Sequence, residues 1–107
     1  MSSDPAKNKR FLMEVEQGIR LANNEIIHKV IPPVTSERML SFAIAVAQLR
    51  AQYIEAAFVF ADIKTTEGKK PAGAIEELSS CRRQFEEARD AYIALQRAIE
   101  LGYVANE

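Results

Sequence analysis

The stretch Met39–Ile63, MLSFAIAVAQLRAQYIEAAFVFADI, decides the fold. It contains no Gly and no Pro, and Ala, Leu, Gln and Arg fill its middle, so it is expected to be helical throughout. At ~100° per residue, Glu37, Ser41, Gln48, Gln52, Glu55 and Asp62 fall in one narrow arc. The rest is almost wholly apolar, leaving roughly 260° of surface to cover, about twice what a helix lying on a core needs. Such a helix needs neighbours on most sides. It reads as the central helix of a bundle and as a subunit interface, with Leu40, Ala43, Ala47, Ala51, Ile54 and Phe58 as the candidate contact residues.

Toward the C-terminus, the segment Thr65–Gly73 (TTEGKKPAG) is rich in turn residues and charges and reads as a loop. Beyond it, Leu78, Cys81, Phe85, Ala88, Tyr92, Leu95 and Ile99 alternate spacings of three and four, the mark of one helical stripe. Gly102 sits where a helix C-cap belongs. Tyr103 and Val104 are expected to fold back, and the residues after them to fray. On the other side, Asp4-Pro5 suits a helix start and Pro32-Pro33 a helix stop. Between them Leu12, Val15, Ile19, Ala22 and Ile26 form a second narrow stripe. Gly18 and Ala22 suit a close helix approach, and Asn23-Asn24 a kink. The expected architecture is all-α: one domain over 1–107, an antiparallel three-helix bundle with helices near 5–30, 36–64 and 73–101, assembling as a homodimer into a larger bundle.

Composition excludes several classes. A net charge of -1 on 107 residues lacks the basic excess of a nucleic-acid binder or a polybasic membrane anchor. The short basic clusters, Lys7, Lys9 and Arg10 and then Lys64, Lys69 and Lys70, have no interleaved aromatics. One cysteine cannot form an intrachain disulfide. No apolar run approaches a membrane span, and the polar MSSDPAKNKRF start precedes no apolar segment, so no signal peptide is expected. A cytoplasmic protein is the expectation.

Three constellations are candidates for chemistry. Arg50 falls in the apolar arc between Ala43, Ile54 and Ala57, where a guanidinium needs a carboxylate or a bound anion. Counting levels across antiparallel turns places it opposite Glu16 or near Glu86, and a structural ion pair is the expectation. The alternative is an anionic-ligand site, drawing on Arg50, Tyr53 and Glu16 at a subunit interface. Glu25 and His28 spell the Glu-x-x-His of bundle di-iron sites, but both point off the helix stripe and few further carboxylates share their level. No metal and no cofactor is therefore expected. Cys81 sits on the third helix's stripe as a small apolar residue, with Arg82 and Arg83 beside it able to lower an exposed thiol's pKa.

No family is identified from these residues. The Arg, Lys and Glu positions of chorismate-mutase-like helical dimers cannot be placed on these helices. The segment around His28, NNEIIHKVIPP, lacks the small and basic neighbours of a phosphotransfer histidine. The expected function is non-enzymatic: a helical bundle that associates with itself, and with another protein, in an adaptor, scaffold or chaperone-like role. A small bundle enzyme or ligand binder built around Arg50 is the alternative.

Overall fold

The computed structural model describes residues 4–64, 68 and 70–107. Three helices succeed one another: α1 (Pro5–Val30), α2 (Ser36–Asp62) and α3 (Ala72–Glu100). Of the expected loop, Thr65–Glu67 and Lys69 lie outside the described residues. No helix among the described residues is long and apolar enough to cross a membrane.

Backbone packing divides the chain into two compact units. The larger one, Ser36–Gln96, is a helical hairpin of α2 and most of α3. Its joint is made of side chains. Phe42 meets Tyr92 edge-on, with ring centroids 5.4 Å apart and planes inclined by 61°. Tyr53 lies 6.0 Å from Phe85, and Val46 and Phe85 are the buried residues of the unit. Along α3 the inward positions are Leu78, Cys81, Phe85, Ala88, Tyr92 and Leu95, the stripe read from its spacing. On α2 they are Met39, Phe42, Val46, Leu49, Tyr53, Ala56 and Phe60, with Ile63 just past its end, again at alternating spacings of three and four.

α2 carries no basic residue in its last turn. Lys70, from the connection, takes that part: its Nζ donates to the carbonyls of Ile63 (2.7 Å) and Ala61 (3.4 Å) and lies 5.0 Å from the centre of the Phe60 ring. A cation there serves both the orphan carbonyls and the negative end of the helix dipole.

The second unit comprises Met1–Thr35 and Arg97–Glu107. α1 opens with the expected cap: Asp4 accepts from the Ala6 amide at 3.1 Å, and Pro5 occupies the first turn. α3 ends in a Schellman turn. Gly102, at φ 78°, donates to the Ile99 carbonyl at 3.0 Å, and the Tyr103 amide donates to Ala98 at 2.8 Å. The chain then pairs with the segment just after α1. The Val34 amide donates to the Ala105 carbonyl at 2.8 Å, and the Glu107 amide donates to the Val34 carbonyl at 3.0 Å, forming a single parallel bridge between Val34 and Asn106. Val34 and Val104 are the two most buried residues described, 5% and 4% exposed.

One expectation does not hold. The end of the chain does not fray, because its backbone is hydrogen-bonded to Val34. α1 runs unbroken through Asn23-Asn24, and that pair is part of the packing: both are half-buried, and Asn24 Nδ2 donates to the Gly102 carbonyl at 3.2 Å. A Cβ on Gly18 would meet nothing within 4 Å.

Candidate interaction surface

α2 carries two stripes of the same period. The inward one, from Met39 to Ile63, packs on α3. The other is Leu40, Ile44, Ala47, Ala51, Ile54 and Phe58, spaced four, three, four, three and four, and at ~100° per residue it lies on nearly the opposite side of the helix. All six are exposed, Leu40 at 62% and Phe58 at 66%. Five of the six contact residues expected from the sequence belong to this face, and the remaining one, Ala43, is half-buried at its edge. Near the end of α2 the surface dips into a shallow depression of about 240 Å³ lined by Tyr53, Ile54, Ala57, Phe58 and Ala61. That depression is the size of a few side chains, and its lining offers Tyr53 as its one polar side chain.

α1 shows the same condition. Its stripe of Leu12, Val15, Ile19, Ala22 and Ile26 is largely exposed, Leu12 at 63% and Ile26 at 61%. The half-buried residues of α1 are Asn23, Asn24 and Ile27, which lie on a different face. Monomeric proteins rarely expose contiguous apolar stripes of this length, and those that do use them for contact.

Arg50 is exposed, not buried as its wheel position implies. The side facing outward from the hairpin leaves it open to solvent, so no buried carboxylate is required. Its guanidinium carbon sits 5.1 Å from the centre of the Phe85 ring, and that of Arg89 sits 5.3 Å from the same centre. Arg89 also pairs with Asp90 at 3.2 Å. Among the described residues no carboxylate lies within ion-pair distance of Arg50. The structure thus gathers Arg50 and Tyr53 around Phe85, while Glu16 pairs with Arg20 at 2.9 Å. Arg89 is absent from the sequence-derived candidates, although its place four residues after Phe85 sets it over that ring.

Glu25 pairs with Lys29 at 3.5 Å, and His28 is exposed. Among the described residues no three His, Cys, Asp or Glu side chains converge on a point where a metal would sit. Cys81 is half-buried, and its thiol donates to Glu77 Oε1 at 3.5 Å. Burial first, and then the carboxylates of Glu77 and Glu55, push this thiol above its ordinary pKa. The lowering expected from Arg82 and Arg83 applied to an exposed thiol; Cys81 is half-buried, and the charged groups acting on its sulfur are the carboxylates of Glu77 and Glu55.

No family model, curated protein or solved structure matches this chain.

Proposed function

We propose that the chain is a non-enzymatic, self-associating helical protein. In this reading two copies pair through the second face of α2 into a larger antiparallel bundle, which acts in the cytoplasm through protein–protein contact as an adaptor, scaffold or chaperone-like component. One observation carries it: α2 has two heptad stripes on opposed sides, one filled by α3 and the other bare. Burying a large aliphatic or aromatic side chain is worth about 1.5–3 kcal/mol, so Leu40, Ile44, Ile54 and Phe58 together represent a substantial driving force for association.

Sedimentation velocity at tens of micromolar tests this. The expected species has about twice the 12.0 kDa mass of the chain. Ala51→Glu, a charge in the middle of the bare face, is expected to return it to monomer while helicity by circular dichroism is kept. A wild-type chain that sediments as monomer over that range overturns the proposal.

A second reading has its own observation. Arg50 and Arg89 place two guanidinium groups on one ring, and of the two only Arg89 has a carboxylate within reach among the described residues. An anionic ligand or an acidic partner side chain would complete that cluster.

A further inference from the structure

Resting on the self-association reading, we infer that the occupant of the bare face of α2 is α1 of a second copy, the two chains exchanging their first helices around a twofold axis. Two features converge on this. The two bare stripes have the same period, and their helices are nearly equal in length, 26 residues for α1 and 27 for α2. They also differ in texture: Ala47 and Ala51 leave the centre of the α2 stripe low, whereas Leu12, Val15 and Ile19 stand high on α1.

The second feature is area. A large side chain exposed by 43–70%, as those of these stripes are, offers on the order of 100 Å². Leu40, Ile44, Ile54 and Phe58 with their alanines therefore supply roughly 500 Å² per copy, short of the ~800 Å² per partner of a standard specific interface. Pairing α2 with α2 stops there and leaves α1 bare. Leu12, Val15, Ile19, Ile26 and Val30 on α1 add a comparable amount and bring the total to the standard range. An isologous exchange buries both stripes of both chains in one closed assembly.

The test is complementation between two full-length variants, Ile19→Glu in the α1 stripe and Ala51→Lys in the α2 stripe, each checked for helicity. Under exchange, each variant alone carries a lesion in both of its interfaces and sediments as monomer. Mixed in equal amounts, they form a heterodimer that concentrates both lesions in one interface and leaves the other intact, so the dimer reappears. If Ile19→Glu stays dimeric while Ala51→Lys does not, association through α2 alone stands and the exchange is overturned. Failure of mixing to restore any dimer overturns it as well. A monomeric wild type would instead remove the self-association reading itself. Should Ile19→Glu lose helicity, Ile19→Ala replaces it: exchange expects the dimer Kd to weaken about tenfold or more, and an unchanged Kd overturns the exchange.

Discussion

Each of the two units of this chain is held together internally by a different part of the polypeptide. In the hairpin, side chains make the joint: Phe42 against Tyr92, Tyr53 against Phe85, and Val46 between them. In the other unit the main chain does so, through the Schellman turn at Gly102 and the pair of hydrogen bonds that bracket Val34. The contrast sets where each can be broken. A side-chain joint fails when volume is removed, whereas a main-chain clasp fails when a backbone angle is forbidden. Neither joint uses the apolar stripe of α1 or the second stripe of α2, and the surplus apolar surface of the chain is found there.

The largest effect is expected at Phe85. It is 8% exposed and touches Tyr53, Arg50 and Arg89, so Phe85→Ala removes the hub of the hairpin. Truncating a buried Phe costs about 3–5 kcal/mol, much of the stability of a small domain. Urea unfolding followed by circular dichroism should show it. A loss below about 1 kcal/mol would mean that the hairpin is not held by its aromatic contacts.

Gly102 tests the other joint and should cost less. A Cβ there meets nothing within 4 Å, so Gly102→Ala isolates the cost of a non-glycine residue at φ 78°. That cost is roughly 1–2 kcal/mol. Hydrogen exchange separates the joints further, because protection should fall at the Val34 and Glu107 amides and hold at the core amides of α2. Equal loss in both units would show that the two joints are one cooperative structure.

What is legible in the sequence divides along the same line. The α3 stripe from Leu78 to Leu95 can be read because side-chain period reports directly on which face packs. On α2 the surplus is legible, but the choice of packed face is not. Both stripes keep heptad spacing, and only the partner's aromatic positions, Phe85 and Tyr92, select Phe42 and Tyr53 over Leu40 and Ile54. The clasp at Val34 leaves no trace in the pattern, since main-chain hydrogen bonds depend on path and not on residue type. Pro32-Pro33 marks the end of α1 correctly without saying what the next residues pair with. Lys70 and Arg89 look like solvated charges in the sequence, yet each lies over a ring. Arg50 misleads because its neighbours on the wheel are apolar, and an apolar neighbourhood on one helix does not amount to burial when no second element covers it.

Arg50 therefore gives the smallest expected change and separates the two functional readings. An arginine committed to a buried carboxylate would cost about 3–5 kcal/mol on removal. Exposed, and resting on Phe85 without a carboxylate in reach, it should contribute no more than the ~0.5–1 kcal/mol of a solvent-accessible cation–π contact. Arg50→Met keeps an unbranched chain over the ring, so urea unfolding of the variant should stay within that range of wild type. A loss of several kcal/mol would instead reveal a charge partner supplied by a second copy, and it should then vanish at protein concentrations that dissociate the dimer. Inorganic phosphate, followed by NMR at the Arg50 and Arg89 Nε–H signals, tests the anion reading separately. Saturable shifts at millimolar phosphate that Arg50→Met abolishes would favour a ligand site. Shifts that only track ionic strength would leave Arg50 as a cation on the rim of the interaction surface, near the apolar stripe that runs from Leu40 to Phe58.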